Sequence, residues 1–230
     1  MDPIFFNYQF RYIIIGNSNV GKTKLLLRYT KDEYINTPKA TIGIDYGSKT
    51  EMINDDIYSV LIYDTAGTEI FHSLTKKFYS NATCVLIVYD ITNRDSLEKC
   101  KNWMNDVWFL CQENVVVALV GNKNDMNTER VVSYEEGKKL ADENNILFFE
   151  ASAKTGKGVN KIFEETIIKI KKNIDSNMYD DLERNGIKNG FSKTYSINLD
   201  NTESFYKNDS EGCCQRRIKR NSIYRSNTSK

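Results

Sequence analysis

No stretch of this sequence approaches the roughly 18 uninterrupted apolar residues that a membrane-spanning helix needs, so a bilayer-spanning fold is not expected. The start, Met1-Asp2-Pro3-Ile4-Phe5-Phe6, lacks the basic flank of a secretory signal, and Asp2 stands where N-terminal myristoylation requires glycine. Folding in the cytosol is therefore the expectation. Metal-ligand spacing is missing as well. Of five cysteines, Cys84, Cys100 and Cys111 lie in apolar surroundings and read as small buried hydrophobes, while the single histidine, His72, has no second His or paired Cys nearby. Net charge is nearly absent at +1, but six basic residues (Arg216, Arg217, Lys219, Arg220, Arg225, Lys230) follow Cys213 with no acidic one, so the remainder carries a net −5. A balanced total hides a basic end.

What is present is an alternation of strand-length apolar runs with segments of helical period, the pattern of an α/β domain with a mostly parallel sheet. Strands are expected over residues 10–15, 44–53, 57–63, 83–89, 115–120 and 146–149. Continuous apolar runs such as Val115-Val116-Val117-Ala118-Leu119-Val120 suit strands covered on both faces. The second and third strands are separated only by Asn54-Asp55-Asp56, so a hairpin adds one antiparallel strand. Helices fit over 22–29, 73–79, 94–111, 133–145 and 159–173, with Ser133 and Glu136 spaced as a capping box. The expected fold is α/β: a six-stranded, mostly parallel sheet with one antiparallel strand and helices on both faces. Beyond residue 173 the chain is rich in Asn, Ser, Lys and Asp, which reads as a flexible tail. The expected division is an extension over 1–9, a domain over 10–174 and a tail over 175–230, with no internal repeat.

Directly after the first strand comes Gly16-Asn17-Ser18-Asn19-Val20-Gly21-Lys22-Thr23, which satisfies G-x-x-x-x-G-K-[ST] in a strand-loop-helix context. Glycines let the backbone curl so that the N–H groups of Ser18, Asn19, Val20 and Gly21 and the helix N-terminus face phosphate oxygens. Lys22 would neutralise the β- and γ-phosphates, and the Thr23 hydroxyl would ligate Mg²⁺, a hard cation that prefers oxygen. This motif alone indicates only a nucleoside triphosphate. The base is addressed by Asn122-Lys123-Asn124-Asp125, placed at the end of the fifth strand. A carboxylate at Asp125 accepts from both the ring N–H and the exocyclic amine of guanine, and adenine offers no such pair. An adenine-using enzyme is disfavoured, since the carboxylate would be left unpaired.

On these two motifs the chain resembles the Ras superfamily of small GTPases over about residues 10–173, which implies a small G domain. The resemblance implies that Asn122 holds the imidazole side of guanine, that the Lys123 stem packs on the base, and that Ser152-Ala153-Lys154 closes the other side with the Ala153 N–H toward the carbonyl oxygen. It implies that Tyr34 covers the base edge. Asp64-Thr65-Ala66-Gly67 matches the element whose Asp organises the Mg²⁺ shell and whose Gly N–H meets the γ-phosphate. Thr41 matches the switch threonine that reaches Mg²⁺ only with the γ-phosphate present, a two-state sensor. Ile42-Gly43-Ile44-Asp45-Tyr46, Phe78-Tyr79-Ser80-Asn81-Ala82 and Ile87-Val88-Tyr89-Asp90-Ile91-Thr92 resemble Rab signatures, and Lys101-Asn102-Trp103 leans toward the endosomal type. Ile44, Tyr46, Tyr63 and Phe78 then mark an effector surface, although the aromatics also suit core filling. The implied partners are guanine nucleotide, an exchange factor, a GTPase-activating protein and effectors. The implied protein is a monomer that does not bind nucleic acid and regulates vesicle trafficking.

Two departures qualify the resemblance. Where it implies a water-orienting glutamine, this chain has Thr68, whose hydroxyl is too short for the same role, so slow hydrolysis or a GTP-locked binding module is expected. Lys22, Thr41, Gly67 and Thr68 are the candidate catalytic groups. Cys213-Cys214 resembles a Rab prenylation pair but is followed by 16 more residues. Lipidation by palmitate, an extended ancestral terminus and an inert pair all remain open for it.

Overall fold

The computed structural model describes residues 5–36, 44–65 and 78–190. In chain order these form β1 (Tyr8–Ile15), α1 (Lys22–Lys31), β2 (Ile44–Ile53), β3 (Asp56–Thr65), β4 (Cys84–Asp90), α2 (Arg94–Glu98), α3 (Cys100–Leu110) and β5 (Val116–Asn122). A 3₁₀ helix (Asn124–Glu129), α4 (Tyr134–Glu143), β6 (Leu147–Glu150), α5 (Val159–Asp175) and β7 (Lys188–Asn189) follow. Six strands run in the order β2-β3-β1-β4-β5-β6, with β2 antiparallel to β3 and the other neighbours parallel. This is the expected sheet. Chain order reverses about β1, flanked by β3 and β4, and in open α/β sheets ligands bind outside the carboxyl ends at such a switch point.

Parallel strands need crossovers, and the crossovers cover both faces. Alternate residues therefore feed two cores. Phe10, Tyr12 and Ile14 of β1 pack with Leu25 and Leu26 of α1 and Phe163 and Ile167 of α5, while Ile13 and Ile15 pack with Cys100, Met104 and Val107 of α3 and Ala141 of α4. β4 and β5 are buried at every position. Cys84 and Cys100 are buried and Cys111 is half-buried, and burial pushes the Cys100 and Cys111 thiols up to about 12. The hairpin closes through Asn54 and Asp55, both at positive φ (50° and 67°), as a two-residue primed turn requires.

Helix starts follow the expected chemistry. Ser133 Oγ accepts from the Glu136 N–H at 3.1 Å and the Glu136 carboxylate accepts from the Ser133 N–H at 2.8 Å, a complete capping box. The helix expected over 94–111 is interrupted at Lys99, whose carbonyl is shared by the N–H groups of Asn102 and Trp103. Of the helix expected over 73–79, only Phe78 and Tyr79 fall within the described residues, and both are helical. No helix among the described residues is long and apolar enough to cross a membrane.

Residues 176–190 fall inside the span expected as tail, yet Tyr179 and Ile187 are buried, Ile187 completely. The reason lies in β1. Strand β4 begins only opposite Tyr12, which leaves the first residues of β1 without a neighbour on that side, and β7 pairs antiparallel with Tyr8 and Gln9 there. Thr83 Oγ1 donates to the Asn185 carbonyl at 2.9 Å, and the Gly190 N–H donates to the Asn7 carbonyl at 2.9 Å. Gly186 makes the turn at φ +72°, where a Cβ would lie 2.1 Å from the Asn81 carbonyl oxygen. The sheet thus gains a short seventh strand that polar composition concealed.

Candidate nucleotide site

The loop from β1 to α1 wraps the ammonium of Lys22, which is 6% exposed and donates to the carbonyls of Gly16 and Asn17, each at 2.8 Å. Burial pulls its pKa down to about 8, with the nearby Asp64 carboxylate acting in the opposite direction. Among the described residues the hydrogen bonds of this buried cation go to neutral carbonyls, and phosphate oxygens would satisfy it better. Ser18 and Asn19 form the exposed crest of the loop, while Val20 is buried in the core. Asn17 Oδ1 accepts from Trp103 Nε1 at 2.9 Å, so α3 holds the loop from outside. Beside Lys22, the Thr23 hydroxyl donates to Asp64 Oδ2 at 2.5 Å, and Asp64, near the end of β3, is fully buried. These are hard oxygen donors converging where a triphosphate would lie, and they fit Mg²⁺ with phosphate and water completing the shell.

The base side adjoins this loop. Gly21 sits at φ +95°, and a Cβ there would come within 2.4 Å of Asn122 Nδ2. The missing side chain lets the buried Asn122 amide donate to the Val20 carbonyl at 2.8 Å, while its Oδ1 accepts from the Ala153 N–H at 3.1 Å. That N–H, expected to face a guanine carbonyl, is engaged by Asn122 in this structure. Lys123 adopts a left-handed backbone (φ 67°), and its Nζ lies 2.6 Å from Asp90 Oδ2. Asp90 Oδ1 in turn accepts from the Thr92 N–H and hydroxyl at 2.9 and 2.7 Å. Asp125 Oδ1 accepts from the Ser152 hydroxyl at 2.5 Å, and Lys154 Nζ lies 3.9 Å from its other oxygen. Tyr34, with Lys24 Nζ 5.7 Å from its ring centroid, is an exposed part of the pocket lining. Gly21, Lys24, Tyr34, Asn122, Lys123, Asp125, Met126, Ala153 and Lys154 line one pocket.

Of the expected effector surface, Tyr46 is 71% exposed and sits opposite Tyr63 across the hairpin. Tyr63 and Phe78 pack with ring centroids 4.8 Å apart at the edge of the second core, so those two both fill the core and border the surface. Ile44 is placed by its backbone opposite Thr65, and its side chain lies outside the described residues. Thr41, Gly67, Thr68, His72, Cys213 and Cys214 also lie outside them.

Two groups that contact pocket-lining residues, Asp90 through Lys123 and Arg28 through Ala153, were given no site role by the motifs. Asp90 terminates β4 in register with Asn122, and its signal was a carboxylate closing an otherwise apolar strand. Arg28 of α1 contacts Ala153, 125 residues away, and has no local signal at all.

A phosphate-holding loop and a base pocket sharing one rim, at the switch point of a doubly covered sheet, define a nucleotide-binding α/β domain. Residues 11–172 match the model of the Ras family. The chain is also 41% identical over 172 residues to the Ras-related protein Rab-2B of Dictyostelium discoideum, covering 75% of this chain and 85% of that protein. It belongs to the Ras superfamily, as a small GTPase of the Rab type, a group of GTP-hydrolysing enzymes involved in vesicle trafficking.

Proposed function

We propose that the chain binds GTP with Mg²⁺, recruits effectors in that state and releases them on hydrolysis to GDP. The observation that carries this reading is the convergence of the Lys22 ammonium, the Thr23 hydroxyl and the Asp64 carboxylate beside a pocket containing Asn122 and Asp125. Lys22 exchanges the carbonyls of Gly16 and Asn17 for β- and γ-phosphate oxygens. The N–H groups of Ser18, Asn19, Val20 and Gly21 face the same charge. Thr23 and Asp64, joined by Thr41 when the triphosphate is present, would hold Mg²⁺, which would neutralise charge on phosphate oxygens. The Gly67 N–H meets the γ-phosphate. Asn122, Lys123, Ser152, Ala153, Lys154 and Tyr34 enclose guanine, and Asp125 pairs its two donors. An exchange factor and a GTPase-activating protein set the occupancy of the two states, and Ile44, Tyr46, Tyr63 and Phe78 contribute to the face that effectors read.

Hydrolysis in this class depends on positioning the attacking water, and Thr68 cannot reach it as a glutamine does. Single-turnover hydrolysis tests the reading: the wild-type rate is on the order of 10⁻⁴ s⁻¹ or less, and Thr68→Gln raises it. A wild-type rate unchanged by Thr68→Gln shows that another group positions the water. Thr68 also favours a second reading, a GTP-locked module whose signalling is set by exchange. Failure of an activating protein to stimulate turnover selects that second reading. Rab activators that bring an arginine and a glutamine of their own would restore turnover despite Thr68.

We infer action at the cytosolic face of an internal membrane of endosomal or Golgi type, through the Cys213-Cys214 region and its six basic neighbours. One acyl chain anchors only marginally, and basic residues near an anionic surface add about 1 kcal/mol each. Membrane fractionation of the wild type against Cys213→Ser/Cys214→Ser checks this. An unchanged distribution removes the cysteines from the anchor.

A further inference from the structure

The loop of residues 152–154 carries the groups that aim the two base-reading side chains. Ser152 donates its hydroxyl to Asp125 and Ala153 donates its N–H to Asn122. The same loop is gripped from behind. Arg28, on the last turn of α1 with its side chain 16% exposed, donates from Nε to the Ala153 carbonyl and from Nη2 to the Lys154 carbonyl, each at 2.9 Å. Its remaining nitrogen, Nη1, donates to the carbonyl and carboxylate of Asp32, at 2.9 and 2.8 Å. Asp32 caps α1 and opens the segment that leads to Tyr34. One planar guanidinium therefore spans the base loop and the start of the chain segment on the pocket's other wall. Three diverging donors in a rigid plane suit this task, and a single ammonium cannot reach all of these acceptors at once.

We propose that Arg28 is a positioning residue for guanine recognition: by fixing the Ala153 and Lys154 carbonyls it orients Ser152 and Ala153, and through them Asp125 and Asn122. This rests on the guanine reading of the pocket. Releasing the two carbonyls loosens the loop, so Asp125 loses the hydroxyl that aims it at the exocyclic amine. The loss falls on base discrimination, because neither Lys22 nor Thr23 touches Arg28 through any contact described above.

The test uses the full chain and compares GDP with inosine diphosphate, which differs only by lacking the exocyclic amine. In Arg28→Ala, GDP dissociates about tenfold faster and the preference for GDP over inosine diphosphate shrinks several-fold, the scale expected when charge-assisted hydrogen bonds are lost. Arg28→Lys moves both readouts in the same direction by less. Asp32→Asn, which tolerates the left-handed cap and keeps the backbone acceptor, leaves the preference unchanged. Thermal unfolding monitors the fold, and if Arg28→Ala does not fold, Arg28→Lys decides alone. An unchanged preference in the folded Arg28 variants overturns the proposal, as does an equal weakening of both nucleotides, which makes Arg28 a plain brace for α1. A wild type that binds ADP as tightly as GDP fails the guanine reading itself, and this inference with it.

Discussion

At the carboxyl ends of the parallel strands the buried residues include the charged and amide groups of Lys22, Asp64, Asp90 and Asn122. At the amino ends the corresponding places are taken by Tyr179 and Ile187, and by backbone pairs between β7 and β1. Burying an ion or an amide costs free energy unless it is paired, and at the first end the pairing is provisional. Lys22 rests on carbonyls, and the Thr23 hydroxyl rests on the carboxylate with which it would share a cation. The second end has satisfied itself with apolar contact, main-chain hydrogen bonds and the buried Thr83 hydroxyl, which accepts from the Arg11 N–H and donates to the Asn185 carbonyl. One end therefore keeps its stability open to a ligand, and the other supplies the stability that makes this tolerable.

The contrast breaks most visibly at Asp125. Asp125→Asn presents an amide where a carboxylate accepts two donors, and GTP affinity falls by about 10³-fold, the scale of two lost hydrogen bonds to a charged group at about 2 kcal/mol each. Xanthine nucleotides, whose donor and acceptor pattern is exchanged, gain affinity in the same variant. Competition binding with the two bases measures both, and equal affinity of the wild type for ATP and GTP removes Asp125 from base selection. The fold is unaffected, because Asp125 contributes no core contact.

The opposite end responds in stability with no change in specificity. Ile187→Ala empties a fully buried site and costs about 2–4 kcal/mol. Urea unfolding shows the loss as a lower midpoint, while the preference for GDP over inosine diphosphate stays at its wild-type value. A specificity change in this variant would mean that the two ends are coupled, against the comparison above.

Most of the fold was legible because apolar runs and capping residues are local signals. Val115 to Val120 announced a strand buried on both faces, and Ser133 with Glu136 announced a helix start that the structure reproduces. The phosphate loop was legible for the same reason, since its residues are contiguous. Arg28 was not, because its acceptors are backbone carbonyls contributed by a loop 125 and 126 residues away. Residues 176–190 were misread because three buried side chains, Tyr179, Asn185 and Ile187, and one positive-φ glycine do the ordering within a polar stretch. Composition averages over such a segment, and packing does not.

The smallest expected effect sits on the surface, away from both ends. The Arg94 guanidinium on Glu136, seconded by the Ser133 N–H, holds the Glu136 carboxyl down at about 2. A carboxyl depressed on folding contributes stability that is fully present above its ordinary pKa. That contribution is lost as pH falls through the ordinary value toward 2. The pair is solvent-exposed, so the gain is slight. Carbon-detected NMR titration of Glu136 in Arg94→Ala should return its pKa toward the ordinary carboxylate range, and an unmoved titration would assign the depression to the capping box alone.

The position of β7 has a mechanical consequence. Tension applied to the chain beyond Gly190 reaches the domain at the first residues of β1, along a strand antiparallel to its neighbour, so it loads those hydrogen bonds in shear. The load path ends at Asn7, Tyr8 and Gln9 and in the socket of Ile187, a sheet's length from the loop around Lys22. A tether on that side acts as a handle at the end of β1 opposite the one that feeds the Lys22 loop.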